Sequence, residues 1–562
     1  MFHAYVKEIV MKFVALNAAK YGKPNEKAVM GKIMAEMPEL RSKAKEVLEI
    51  VRECIIEFES LSEEKKKEII ERYTAELKPK EVKKEQKLPP LENAEKGKVV
   101  MRFAPNPNGP PTLGSARGIV VNDEYCKIYN GKFILRFDDT DPRTKRPMLE
   151  AYEWYLEDCE WLDAKPDEVI YASKRIPIYY EYCEKLLEME KAYPCFCSKE
   201  EFKKFRDSGV ECPHRNTSAE DALEIWDKML NGEYEEGEVV IRIKTDMKHK
   251  DPAIRDWVAF RIIYEDHPLV GDRFCVWPTL DFESAIEDHL LGITHIIRGK
   301  DLRDSELRQR YIYSYFGWDY PITKHWGKVS IHEFGRLSTS ELRKEIEAGR
   351  YEGWDDPRLP TIRALRRRGF RPEAIRNFIL SLGVGENDVS VSVKNLYAEN
   401  RKIVDPIANR YFFVWDPVKI KIEGLESEVE VKIPLNPTKG GFRTLTGSKE
   451  IYICRDDFER LEEGNIVRLK DFCNVRLIDK KNAIFEFEGF ELKEAKKGKN
   501  IIHWLPVSEV VRCIVLGIDR NYEGFAERNA LNDIGNVVQF ERFAFCRLES
   551  FDGKLNAVYT HP

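Results

Sequence analysis

Arg102-Phe-Ala-Pro-Asn-Pro-Asn-Gly-Pro-Pro-Thr-Leu-Gly-Ser-Ala-Arg-Gly118 decides how this chain folds. It begins inside Val99-Val-Met-Arg-Phe-Ala104, an apolar run of the length of a buried strand. Pro105, Pro107, Pro110 and Pro111 stiffen the exit from that strand, while Gly109 and Gly114 withdraw side chains. Gly114-Ser115 falls where a helix opens; Ile119, Val120, Tyr125, Cys126 and Ile128 continue it, and Asn130-Gly131 ends it. Phe133-Ile-Leu-Arg-Phe-Asp138 is a second strand. Strand, helix and strand within about 40 residues make a βαβ unit, and hence an α/β fold with a parallel sheet. The free N–H groups at the helix start carry the positive end of its dipole and suit a phosphate. A rigid strand–helix turn without a ligand is the alternative for this segment taken alone. It contains no Gly-x-Gly-x-x-Gly and no Gly-Lys-Ser/Thr ending, so it is neither a dinucleotide fingerprint nor a P-loop.

A second stretch complements the first. Gly335-Arg-Leu-Ser-Thr-Ser340 is a small hydroxyl-rich loop beside Arg343 and Lys344. Alone it is a common turn; facing Gly109–Ser115 it would hold a nucleotide triphosphate from two sides. Arg136-Phe-Asp-Asp-Thr-Asp141 ends a strand, where ligands of open parallel sheets bind. Asp138 is the functional candidate there, with Asp139 and Asp141 read as caps of a helix after Pro142. Arg298, in Thr294-His-Ile-Ile-Arg-Gly-Lys-Asp301, ends another apolar strand and suits bidentate carboxylate recognition, or else a structural ion pair. Cys195-Phe-Cys197 and Cys212-Pro-His214, fourteen residues apart, present four ligands suited to tetrahedral, structural zinc; free cysteines are the alternative. Arg363, Arg366, Arg367, Arg368, Arg371 and Arg376 form a basic segment, either a phosphate-contacting face or solvated helix surface.

Bulk properties set the frame. A chain of 562 residues holds several domains. With 34% charged and 43% hydrophobic residues it is expected to be soluble. No apolar run approaches the ~20 residues of a membrane helix, and the N-terminus lacks a signal-peptide pattern. Twelve cysteines without a dense framework fit a reducing cytoplasm. A net charge of −6 leaves nucleic-acid binding to local patches.

Six regions are expected. Residues 1–95 are a helical extension and charged linker, in which Ala44, Val47, Leu48, Val51, Ile55 and Phe58 form one packing stripe. Residues 96–192 are the first half of the parallel-sheet domain, 193–295 an insertion with the candidate zinc site, and 296–350 the second half with the serine loop. Residues 351–415 are helical, with a basic segment, and 416–562 alternate as a β-barrel domain.

The assembled motifs closely resemble those of glutamyl-tRNA synthetases, class I aminoacyl-tRNA synthetases, in their archaeal branch. The resemblance runs from about residue 98 to the end. It is strongest at Arg102–Gly118, Phe133–Pro142, Trp277-Pro-Thr-Leu-Asp-Phe282 through Asp301, Gly353-Trp-Asp-Asp-Pro-Arg-Leu-Pro-Thr361 and Val538-Gln-Phe-Glu-Arg542. The family's His-Ile-Gly-His signature falls on Thr112-Leu-Gly-Ser115 and its Lys-Met-Ser-Lys-Ser signature on Arg336-Leu-Ser-Thr-Ser340.

The resemblance implies a Rossmann-type sheet with an inserted acceptor-binding domain, a helical connector and an anticodon-binding barrel. It implies ATP and Mg²⁺, with Asn106, Gly109, Gly114, Arg336, Leu337 and Ser338 on ATP, and Thr112, Gly114, Ser115, Arg336, Ser338 and Ser340 in the catalytic signatures. Arg102 and Arg298 would hold glutamate, Asp138 its amino group, and Arg363, Arg366 and Arg367 tRNA. The implied activity is glutamylation of tRNA(Glu), with tRNA(Gln) open as a second substrate. The alternatives are a glutaminyl-tRNA synthetase or a degenerate tRNA-binding protein. Residues 1–95 would bind RNA or protein. Both signature histidines and one lysine are replaced, by Thr112, Ser115 and Thr339, and Leu280 stands where relatives often carry tyrosine. Charge support would then come from backbone N–H groups, hydroxyls, Arg336 and Lys328 or Lys344.

Overall fold

The computed structural model describes residues 2–21, 23–37, 43–76, 88–334, 339–491 and 501–562. The chain divides into two compact units, Met1–Lys87 and Leu88–Pro562. The first is helical: α1 (Phe2–Tyr21), α2 (Glu26–Glu36), α3 (Ala44–Ser60) and α4 (Glu63–Glu76). Asn25 caps α2 by accepting from the Ala28 N–H. Val47, Val51 and Phe58 of α3 are buried against Val6, Val10 and Val14 of α1. The buried stripe is shifted from the expected one. Ile50 and Cys54 share its centre, and Leu48 and Ile55 are only partly buried.

Residues 88–95, grouped on sequence with the extension, pack on the second unit. Leu88 is buried in its core, Tyr125 Oη donates to Pro89 O at 2.8 Å, and His295 Nε2 meets Glu92 O at 2.9 Å. The rest of the charged linker, 77–87, lies outside the described residues.

The second unit opens with the expected βαβ: β1 (Val100–Phe103), α5 (Leu113–Tyr129) and β2 (Lys132–Phe137). Asn130 closes α5 in the left-handed conformation, φ 50°. Helix α6 (Leu149–Trp161) leads to β3 (Glu168–Tyr171). All three strands are parallel, with Met101 opposite Phe133 and Leu135 opposite Val169. After α7 (Ile176–Glu188) the chain leaves this sheet to build β4 (Ala192–Cys195), α8 (Lys199–Ser208), α9 (Ala219–Leu230), β5 (Val240–Ile243), β6 (Val258–Ile262) and β7 (Val276–Pro278). These four strands pair antiparallel in chain order. Helix α10 (Leu280–Leu290) then returns to β8 (His295–Gly299), α11 (Arg303–Phe316) and β9 (Ile322–Trp326).

β8 and β9 are parallel, and Thr294 N donates to Val100 O at 3.0 Å, so β8 runs beside β1 on the flank away from β2. The chain therefore winds one way from β1 to β2 to β3 and the other way from β8 to β9. The reversal opens a crevice at the C-terminal ends of β1 and β8, where such folds bind ligands.

Next come β10 (Val329–Ile331), α12 (Thr339–Glu347), α13 (Ile362–Arg367), α14 (Pro372–Ser381), β11 (Val389–Val391) and α15 (Lys394–Val404). The C-terminal residues form two seven-stranded sheets with separate apolar cores, not one barrel. Among the described residues neither ladder closes: one ends at Arg410–Tyr411 and Phe413–Trp415, the other at Ile501–Ile502 and Leu505–Pro506. Alternation of period two is the same for an open sheet and a closed one, so strand texture could not separate them.

Candidate functional site

The proline-rich turn after β1 is held from three sides. Asp138 N donates to Pro105 O at 3.0 Å, Met148 N to Pro107 O at 2.9 Å, and Leu113 N to Pro360 O at 2.8 Å. Asn106 Nδ2 donates to Asp138 O at 3.1 Å. Proline cannot donate from its own nitrogen, so its carbonyls and the neighbouring amides carry these bonds.

The two motifs meet. Asn108 Nδ2 lies 3.5 Å from Ser340 Oγ. A Cβ on Gly109 would collide with the Thr339 methyl and come within 2.9 Å of Trp354 Cη2. Glycine at 109 thus lets the start of α12 approach the turn. Gly335, Arg336, Leu337 and Ser338 lie outside the described residues, so of this loop only Thr339 and Ser340 are seen against the turn.

At the start of α5, Thr112 and Ser115 form a capping box. Thr112 N donates to Ser115 Oγ at 2.7 Å, and Ser115 N to Thr112 Oγ1 at 3.3 Å. Both hydroxyls given catalytic roles on the resemblance are therefore engaged in shaping the helix end. The box needs a side-chain acceptor at both positions, and Thr112 and Ser115 supply it. At Gly114 a Cβ would have only the Thr112 hydroxyl nearby, at 3.6 Å.

Three strand ends converge on one cavity of about 170 Å³. Arg102 ends β1, Asp138 follows β2 and Arg298 sits in β8, and all three line it with Leu280, Ser284 and Gln309. Arg102 is held by Asp288 of α10 through Nε at 2.9 Å and Nη2 at 3.1 Å. Arg136, fully buried, bonds Asp138 Oδ1 at 2.6 Å and Asp288 Oδ1 at 2.7 Å. Burial alone would raise Asp288, but Arg102 and Arg136 hold it well below the usual carboxylate range. Arg298 bonds neutral groups instead: Gln309 Oε1 at 3.1 Å and Tyr320 Oη at 2.9 Å. Its buried Nε has no hydrogen-bond partner among the described residues. Arg298 also lines the cavity, so this nitrogen is suited to an incoming anion.

Sequence reasoning found Arg102, Asp138 and Arg298 and missed Arg136, Asp288, Gln309 and Tyr320. One signal was present. Helix α10 carries Asp281, Glu283, Glu287 and Asp288 among apolar residues, and buried carboxylates need buried cations.

Asp139 and Asp141 do not cap the helix as expected, since α6 starts only at Leu149. Asp139 is fully buried, accepting from Tyr152 Oη, Ser173 N and Ser173 Oγ. Asp141 closes a turn onto the amides of Arg143 and Thr144.

In the antiparallel region, Cys195, Cys197, Cys212 and His214 bring one ligand atom each to within 4.8 Å of one another. Cys195 and Cys212 sulfurs are 3.9 Å apart, and Cys197 Sγ is 3.4 Å from His214 Nδ1. Bonds of ~2.3 Å to a tetrahedral zinc put ligand atoms ~3.8 Å apart, so the cluster fits the ion.

The basic segment is mostly paired within the chain. Arg363 bonds Glu157 at 2.6 Å, Arg367 bonds Glu549 at 2.9 Å, and Arg376 bonds Asp123 and Glu124. Arg368 is fully buried, and Arg366 lies 5.9 Å from the Trp161 ring centre. Arg363 and Arg376 thus tie the basic segment to α6 and α5, while Arg367 and Arg368 tie it to the C-terminal sheets. Their carboxylate partners are remote in the chain, so the charge run alone could not reveal the pairing.

A two-way parallel sheet, a charged cavity at its switch point and a C-terminal β region together define a class of protein. The family model for class I tRNA synthetases (E and Q), catalytic domain, matches residues 98–406, and that for their anti-codon binding domain matches residues 408–489. Full-length relatives narrow this further. Glutamate–tRNA ligase of Archaeoglobus fulgidus is 72% identical over 557 residues, covering 99% of this chain and 100% of that protein. Those of Methanosarcina mazei (54% over 566 residues, 98% of each chain) and Pyrococcus furiosus (51% over 571 residues, 99% and 100%) are similar over the same extent. The chain belongs to the glutamate–tRNA ligase family of class I synthetases, in its archaeal branch.

Proposed function

We propose that this chain ligates L-glutamate to tRNA(Glu) at the expense of ATP, in the cavity between β1 and β8. One observation carries the reading: Arg102, Asp138 and Arg298, from three separate strand ends, line a single cavity. Two guanidiniums and a carboxylate complement a substrate with two carboxylates and an ammonium. Asp138 takes the ammonium, and Arg298, through its free Nε, takes a carboxylate. Asp288 fixes the fork of Arg102, which faces the other carboxylate.

In the first step a carboxylate oxygen of glutamate attacks the α-phosphorus of ATP, and pyrophosphate leaves. In the second the 3′-terminal adenosine hydroxyl of tRNA attacks the acyl carbon, and AMP leaves. Neither step needs a protein nucleophile. Positioning and charge stabilisation do the work. The N–H groups at the start of α5, with Gly114 leaving its side open, support the phosphates. Gly109 and Asn106 shape the turn beneath them, and Arg336, Leu337, Ser338 and Ser340 contribute to binding the triphosphate. Mg²⁺ bound with ATP would neutralise phosphate charge.

The sheet β4-β5-β6-β7 receives the acceptor end of tRNA, and the C-terminal sheets its anticodon. Cys195, Cys197, Cys212 and His214 would hold a structural Zn²⁺ with four protein ligands. All four ligand positions belong to the protein, so the ion takes no substrate.

Aminoacylation of tRNA(Glu) with glutamate and with glutamine tests the reading. Asp138→Asn and Arg298→Ala should each raise the glutamate KM by about tenfold or more. Unchanged glutamate KM in both variants would remove the cavity as the amino-acid site.

A further inference from the structure

Asp138 has a neighbour that this reaction leaves unexplained. Glu283, in the first turn of α10, is fully buried, and neither of its carboxylate oxygens has a hydrogen bond among the described residues. Its nearest cation is Arg136, with Nε 3.5 Å from Oε1. That Nε is already given to Asp138 at 2.6 Å.

The other charged groups around it are committed as well. Glu287, one turn on, pairs with Arg175 at 2.6 Å and accepts from Tyr179 Oη at 2.8 Å. Asp288 is occupied by Arg102 and Arg136. An ionised Glu283 would be a carboxylate out of water with no donor, which costs several kcal/mol. Asp138 Oδ1 and Glu283 Oε1 approach the same Arg136 Nε, at 2.6 and 3.5 Å, so a protonated Glu283 has the Asp138 carboxylate beside it as an acceptor. Burial, then the charges of Asp138 and Glu287, push Glu283 well above the usual carboxylate range, against the pull of Arg136.

We propose that Glu283 is a neutral carboxylic acid that positions Asp138 for the substrate ammonium and keeps the cavity one charge positive. The guanidiniums of Arg102, Arg136 and Arg298 face the carboxylates of Asp138 and Asp288, and that excess matches glutamate, which carries one net negative charge. An ionised Glu283 would cancel it and suit a net-neutral amino acid such as glutamine. The proposal rests on the reading of this cavity as the glutamate site.

Three variants of the full chain, assayed by aminoacylation of tRNA(Glu), test it. Glu283→Gln keeps a neutral group with a donor in place. It is expected to hold kcat, the glutamate KM and the preference over glutamine within about twofold. Glu283→Met keeps the length but has no donor, and is expected to raise the glutamate KM about tenfold with kcat little changed. The infrared difference spectrum of wild type minus Glu283→Gln at neutral pH should show the carbonyl band of a protonated acid. Carboxylate bands in its place overturn the proposal, as does a tenfold loss in Glu283→Gln. Should Glu283→Gln fail to fold, Glu283→Met serves for the same spectrum, and an unchanged glutamate KM in Glu283→Met also overturns it. Asp138→Asn separates the two ideas. If it leaves the glutamate KM unchanged, the cavity reading itself has failed. If it raises KM while the acid band is missing, only the role of Glu283 has.

Discussion

Arg102 and Asp288 face each other as two forks, Nε to Oδ1 at 2.9 Å and Nη2 to Oδ2 at 3.1 Å, though they stand 186 positions apart in the chain. This pair sets the angle at which the guanidinium enters the cavity. Removing one partner leaves the other buried and uncompensated. Asp288→Asn is therefore expected to lower stability by about 3 kcal/mol in urea unfolding. It should also raise the glutamate KM more than tenfold. A variant with wild-type KM would show that Arg102 does not touch substrate.

Gly109 is where the two motifs touch. A side chain there meets Thr339 and Trp354, both on the far side of the turn. Gly109→Val should push the start of α12 away with little effect on the core. The expectation is a kcat lowered about a hundredfold, with unfolding free energy changed by less than about 1 kcal/mol. Near-normal turnover would mean that catalysis does not depend on this contact.

The four-ligand cluster predicts metal content. Purified protein should carry about one Zn²⁺ per chain, and Cys197→Ser should lose most of it. Chelation should lower the melting temperature without abolishing adenylate formation in the remaining folded protein, because the ion is structural. Unchanged zinc content in Cys197→Ser would reject these ligands.

Asp158 predicts a pH dependence. It is fully buried, both oxygens lack partners among the described residues, and burial raises it to about 7 despite Arg363 and Arg366. A carboxyl group raised on folding stabilises the fold while protonated. Its contribution is complete below the ordinary carboxylate range and is lost as pH rises through about 7. Asp158→Asn is thus expected to be more stable than wild type at alkaline pH, by roughly 2–4 kcal/mol, and the difference should vanish toward pH ~4. Denaturant unfolding of both proteins across that range decides it, and a difference independent of pH would contradict the assignment.

Much of this was legible in local sequence because its causes are local. Periodicity and turn chemistry make the β1–α5–β2 unit almost unavoidable, with prolines after Arg102 and Asn130-Gly131 to stop the helix. Asp138 and Arg298 could be picked out because each ends a strand, and strand ends in a parallel sheet are where ligands sit, while Arg102 was singled out by the family resemblance alone. Cys-x-Cys and Cys-x-His spacing anticipated a cluster that the fold assembles.

Other features depend on partners far away in the chain. Arg363 and Arg367 look like a basic surface until Glu157 and Glu549 arrive to pair with them. Sequence position alone does not show that Thr112 and Ser115 also cap each other. Whether alternating strands close into a barrel is a matter of pairing, which strand texture does not encode. The linear pattern of residues determined the elements and the chemistry available at their ends. Tertiary structure alone decided which charges face each other out of water. There a hydrogen bond made or missed, as between Arg102 and Asp288 or at Glu283, decides the protonation and orientation of the groups that meet a substrate.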